Sequence, residues 1–176
     1  MYKLTIFIAL LLSPLHSKAH CEYDISFLTN PIKKQQSINL SDKTTLHIQQ
    51  QLSKQTVNNA VIASNVTCQV LEGASFSGDQ AEFKKLLNNT VHGLISAEAQ
   101  DLKVTLVGSD DAVYQGKHPN LEYTLSTTLS GNEQIIYNLT FVNKLKNESL
   151  TVSVSGNIIN KELLESEFTR ILSSLE

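Results

Sequence analysis

An α+β fold is predicted: an antiparallel sheet of about six to seven strands with two main helices packed on it. Three features of the sequence carry this expectation. The C-terminal third alternates apolar and polar residues in three runs, joined by connections too short for a parallel crossover. Two other stretches, one opening at Asp79 and one at Asn160, switch to helical spacing. The chain therefore reads strands, helix, strands, helix, the order of an antiparallel sheet covered by helices.

Met1–Ala19 reads as a secretory signal peptide, with Lys3 ahead of an apolar run from Leu4 to Leu12 and Ser17-Lys18-Ala19 as a small-x-small cleavage site. The run is too short for a membrane anchor, which needs about 20 apolar residues, and Pro14 follows it. Lys18 and His20 fit a lipobox poorly despite Cys21, so no stable membrane anchor is expected. Residues 20–176 then form a single α+β domain in the periplasm or medium, expected to be a monomer.

Glu22 to Leu28 alternates as a first strand, and the polar tract Thr29 to Asp42 reads as a surface loop. Thr44 to Leu52 alternates again, with Leu46, Ile48 and Leu52 inward and His47, Gln49 and Gln51 outward. Asn58-Asn59 turns the chain into a long strand from Val61 to Leu71. Asp79 opens the first helix with Glu82 three residues on, an N-terminal box. Phe83, Leu86, Leu87, Val91, Leu94 and Ile95 keep its stripe, and Gly93 inside it suggests close packing. Leu102 to Leu106 is a short strand ending at Gly108, Ser109-Asp110-Asp111 turns, and Val113-Tyr114 extends briefly.

The meander follows. Tyr123, Leu125, Thr127 and Leu129 oppose a wet face of Glu122, Thr124, Ser126 and Thr128. Ile135, Tyr137, Leu139 and Phe141 share one face of the next strand, and Leu150, Val152 and Val154 one face of the third. Asn160 is placed to cap the last helix, whose Leu164, Phe168, Ile171 and Leu175 should cover the meander.

Composition narrows the function classes. The formal net charge is −3 and becomes more acidic once Lys3 and Lys18 are removed; no basic run is present, which argues against nucleic acid or anionic lipid. Trp is absent and aromatic residues are few, so stacking platforms for bases or sugars are not expected. Cys21 shares a face with Tyr23, Ile25 and Phe27, and Cys68 with Val66 and Val70. A structural disulfide is the expected outcome, with two inert thiols or a redox pair as alternatives; the C-x-x-C spacing that lowers a thiol pKa is missing.

No nucleophile elbow, paired carboxylates, zinc signature or phosphate loop is found, so an enzyme is not expected and no cofactor is implied. Cleavage after Ala19 would leave His20 at the N-terminus, where amine and imidazole can chelate copper, with His47, His92 or His118 completing the set. Against this, chain ends fray and no His-rich tract accompanies it. Asp110-Asp111 lacks further carboxylates at calcium-loop spacing. Sequons such as Asn65-Val66-Thr67 and Asn138-Leu139-Thr140 are expected by chance in a chain this rich in Asn, Ser and Thr.

The loop Gly116-Lys117-His118-Pro119-Asn120 leading to Tyr123, the Phe141-Val142 strand, the hairpin into Leu150-Thr151-Val152-Ser153-Val154-Ser155-Gly156 and the closing Ile171-Leu172-Ser173-Ser174-Leu175 together resemble the PsbP-like superfamily, including the bacterial DcrB-like proteins. The resemblance covers about the last 80 residues. Asn120 departs from it where a second turn glycine is usual, and Leu175 where an aromatic residue often closes the helix. It implies a binding, assembly or chaperone module without a shared active site. The expected partner is a protein or a small apolar ligand, held in a groove between the Asp79 helix and the sheet where Phe83, Leu87 and Ile95 would lie.

Overall fold

The computed structural model describes residues 21, 23–57, 59–109 and 112–175; Met1–Ala19, His20, Glu22 and Asp110-Asp111 lie outside the described residues. The strands are β1 (Ile32–Ser41), β2 (Thr44–Val57), β3 (Ala60–Glu72), β4 (Gln100–Val107), β5 (Val113–Tyr114), β6 (His118–Leu129), β7 (Asn132–Asn143) and β8 (Glu148–Asn157). The helices are α1 (Gln80–Ser96) and α2 (Lys161–Ser173), the latter entered through a 3-10 turn at Ile158–Asn160. This is the expected α+β class, with eight strands among the described residues rather than six or seven.

All pairings are antiparallel, and the strand order is β1-β2-β3-β8-β7-β6-β4, with β5 added against β6. Two meanders, β1–β3 and β6–β8, are joined where β3 meets β8, Ile62 opposite Gly156 and Val66 opposite Val152. The β6–β7 turn has Ser130 at φ 51° and Gly131 at φ 74°, the two left-handed residues of a tight hairpin.

Directly opposed residues share a sheet face, so the register sorts the core. One face carries Ile62, Val66 and Cys68 of β3, Leu150, Val152 and Val154 of β8, and Ile135, Leu139 and Phe141 of β7; Leu164, Phe168, Ile171 and Leu175 pack on them. The terminal helix thus covers β7 and β8 as expected. Tyr123 and Leu125 of β6 point the other way, opposite Asn138 and Ile136, and lie on the face of α1, where Tyr123 donates to Thr90 Oγ1 at 3.4 Å. The two helices therefore sit on opposite faces of one sheet.

Three expected elements change. Residues 23–28 are extended but do not join the sheet. They form a strap beside α2: Cys21, Tyr23, Ile25 and Phe27 pack against the core, and Arg170 donates to the Ser26 carbonyl at 2.6 Å. Extension alone gives side chains period 2, so the alternation was read correctly while the pairing was not. The expected loop from Thr29 to Asp42 holds β1, all ten of whose residues are exposed. An edge strand wet on both faces has no alternation to detect, and Lys33 and Lys34 guard it against further pairing. In β2 the faces are reversed. His47, Gln49, Gln51 and Ser53 oppose Val70, Cys68, Val66 and Ser64 and so face the core side, while Leu46, Ile48 and Leu52 lie on the outer face.

Local signals otherwise hold. Asp79 Oδ1 accepts from the Glu82 amide at 2.8 Å, and Glu82 accepts in return from the Gly78 amide at 2.7 Å. Asn160 makes no capping bond; it is buried and its amide reaches the Val57 carbonyl, while Asn157 caps the preceding turn. Glu167, 4% exposed, is held by both Arg170 and Ser64. Gly156 lets α2 settle close, since a Cβ there would stand 3.0 Å from Leu164 Cδ2 and 2.8 Å from the Val61 carbonyl oxygen.

Cys21 and Cys68 form a disulfide that ties the strap to β3 across 47 residues of chain. Replacing both by serine should cost about 4 kcal/mol in the chain-entropy model, read as a lower urea midpoint than the oxidised parent. A midpoint equal to the parent's would show that packing alone holds the strap. Gly93 is exposed on α1 and no atom lies within 4 Å of where its Cβ would stand, so it does not serve close packing. Gly93→Ala should raise stability by about 0.5–1 kcal/mol at an unchanged denaturant slope.

Candidate functional site

Because α2 lies over β8, β7 and β3, no helix among the described residues covers the same face of β6 and β4. The result is an open cleft of about 700 Å³ between α2 and the β7-β6-β4 flank, closed at one end by Tyr114 and Gln115. Its floor follows from register: Ile135 and Tyr137 of β7 stand beside Ser126 and Thr124 of β6, and Glu122 beside Val107 of β4. Its wall is a helical stripe, Lys161, Glu165, Phe168 and Leu172.

Apolar and polar groups both line it. Phe168 and Tyr137 pack ring to ring, centroids 5.8 Å apart, and Tyr114 stacks on Phe141 at 4.8 Å while donating its hydroxyl to the Leu172 carbonyl at 2.9 Å. The Tyr137 hydroxyl is buried and has no hydrogen-bond partner among the described residues. Its pKa is pushed up, first by burial and then by the charge of Glu165. The Glu122 carboxyl is pushed above the ordinary carboxylate range by burial alone, and among the described residues neither Glu122 nor Glu165 is in an ion pair.

The expected groove beneath α1 is smaller, about 360 Å³. Phe83 and Leu87 line it together with Leu106 and Leu121, Val107 and Glu122 border both cavities, and Ile95 is 55% exposed and lies outside. Of the histidines, His118 stacks on Phe141 at 5.4 Å with its pKa lowered by burial and by Lys117, His92 is exposed, and His47 bonds Ser37 and Glu72. They are not brought together. No group of three or more His, Cys, Asp or Glu side chains able to hold a metal ion occurs among the described residues, and His20 lies outside them. Asn138 of the second sequon is buried and bonds Ser153 at 3.0 Å.

The carboxylates of the cleft escaped sequence reading because they are far apart in the chain and meet only through the placement of α2 on the sheet. The one available signal was Glu122 itself, on the wet phase of a strand whose neighbour, β7, turns apolar residues to the same side.

No protein-family model matches the chain, and no curated protein matches it. Its backbone is similar to the crystal structure of a protein of unknown function, PA94 from Pseudomonas aeruginosa, at 9% sequence identity and a TM-score of 0.43, over 81% of this chain and 95% of that one. No helix among the described residues is long and apolar enough to cross a membrane.

A carboxyl with a raised folded-state pKa holds its proton more tightly in the fold than in the unfolded chain. Glu122 therefore favours folding in acid, below the ordinary carboxylate pKa, and its contribution falls as pH rises through the folded value. Glu122→Gln cannot ionise, so it should melt at a higher temperature than the parent at pH 7, with the difference closing in acid. A difference that does not change with pH would show the carboxylate to be fully solvated.

Proposed function

We propose that this chain is an exported, non-enzymatic binding module, acting as a monomer in the periplasm or medium, and that the cleft beside α2 holds a small ligand with an apolar body. The cleft carries this reading. Its volume of about 700 Å³ falls in the range of small-molecule sites, and its lining sets Val107, Ile135, Phe168, Leu172 and two tyrosine rings among polar groups such as Thr124 and Glu122. The Cys21–Cys68 disulfide supports an oxidising compartment, in keeping with a signal peptide at Met1–Ala19. The PsbP/DcrB-like pattern of the last 80 residues supports a binding role rather than catalysis. The copper alternative rests on His20 alone, and no described residue favours it.

Nile red, a neutral apolar dye, tests the reading directly. The parent should enhance and blue-shift its emission. Thr124→Trp, which fills the cleft floor, should weaken binding at least about tenfold with an unchanged melting temperature, while Leu87→Ala in the α1 groove should leave it unaltered. Loss of binding only in Leu87→Ala would move the site to the other face, and absence of binding to the parent would remove it.

A further inference from the structure

The polar groups of the cleft narrow the ligand class, an inference that rests on the cleft being the binding site. Two carboxylates face it, Glu122 from β6 and Glu165 from α2, against one cation, Lys161, at the opening turn of α2. Glu165 and Lys161 lie on the exposed rim, whereas Glu122 lies on the half-buried floor. Across the β6–β7 ladder Glu122 stands opposite Leu139, and Tyr137 stands opposite Thr124, two residues along. Aromatic rings of Tyr114, Tyr137 and Phe168 complete the lining.

We infer that the cleft takes a small protonated amine with an apolar body, its ammonium at the Glu122 carboxylate on the floor and its hydrocarbon part along Phe168 and Leu172. The carboxylate of Glu122 then acquires a counter-charge, and the aromatic rings that line the cleft attract the cation. A carboxylate-headed ligand would meet two like charges and only Lys161 in its favour. A neutral alcohol would leave Glu122 without a counter-charge. An acidic floor residue without a partner is costly to the fold, and a cationic ligand is what offsets that cost.

The experiment is calorimetric titration of the full mature chain with octylamine, octanol and octanoate. Octylamine should bind at least about tenfold tighter than octanol, and octanoate weakest. Glu122→Gln should weaken octylamine about tenfold, the loss of one hydrogen bond to a charged group, while leaving octanol unchanged and raising the melting temperature. Opposite signs in affinity and stability separate a ligand contact from a structural role. In the parent, octylamine affinity should rise with pH as Glu122 ionises, with Glu165, Lys161, Tyr114 and Tyr137 as the other titratable groups facing the site; in Glu122→Gln this rise should vanish. Octanol or octanoate binding as tightly as octylamine, or an unaltered octylamine affinity in Glu122→Gln, overturns the amine assignment and leaves the cleft as a site. Failure of all three to bind, together with a null Nile red titration, overturns both.

Discussion

The seat of α2 on the joint between the two meanders sets everything else on that face. Leu164, Phe168, Ile171 and Leu175 are nearly fully buried there, each contributing about 2 kcal/mol of transfer free energy. A helix is about 10 Å wide and strands lie about 4.8 Å apart, so one helix covers two to three strands. The sheet path is seven strands wide. Centred on β8, and drawn close by the missing side chain of Gly156, α2 must leave a flank bare on either side.

The two flanks are handled differently. Toward β3 and β2 the N-terminal strap fills the gap. It is fixed at one end by Cys21–Cys68 and along its length by Tyr23 to Glu148 at 3.0 Å, Arg170 to Ser26, and Thr29 to Ser53 at 2.6 Å. Buried Glu167 belongs to the same device, because Arg170 bridges it to the strap. Toward β6 and β4 nothing comparable among the described residues lies over the sheet, and the cleft is what remains. On the far face α1 buries only Phe83 among its residues, so that helix is a lighter cover than α2.

How much of this the sequence revealed depended on whether a residue's burial follows from its neighbours in the chain or from distant ones. The β7 and β8 faces, the α2 stripe, the Asp79–Glu82 box and the disulfide were legible, because strong alternation or helical spacing reports a single buried side. In β2 the same rule failed. Leu46, Ile48 and Leu52 look inward, yet they line up with Ile38, Ile32 and Leu71 on the outer face, while Gln49 and Gln51 lie under the strap. A strap that supplies the apolar cover allows the strand beneath it to be polar. β1 was invisible for a simpler reason: neither of its faces is buried, so nothing selects a period.

The cleft was illegible for the same physical cause, since its two carboxylates sit on elements whose proximity is a property of tertiary packing. Glu122 alternates with Thr124 and Ser126 as any solvated strand face would. Only the position of α2, one strand short of covering them, turns that wet face into a walled one. Burial against that wall raises the Glu122 carboxyl, the Tyr137 hydroxyl is buried without a partner among the described residues, and the cleft itself stays open. Folding alone would be better served by an uncharged side chain at position 122 and a phenylalanine at 137. A half-buried carboxylate and an unpartnered phenol, both kept against the stability of the fold, make this flank the part of the molecule least explained by its own packing.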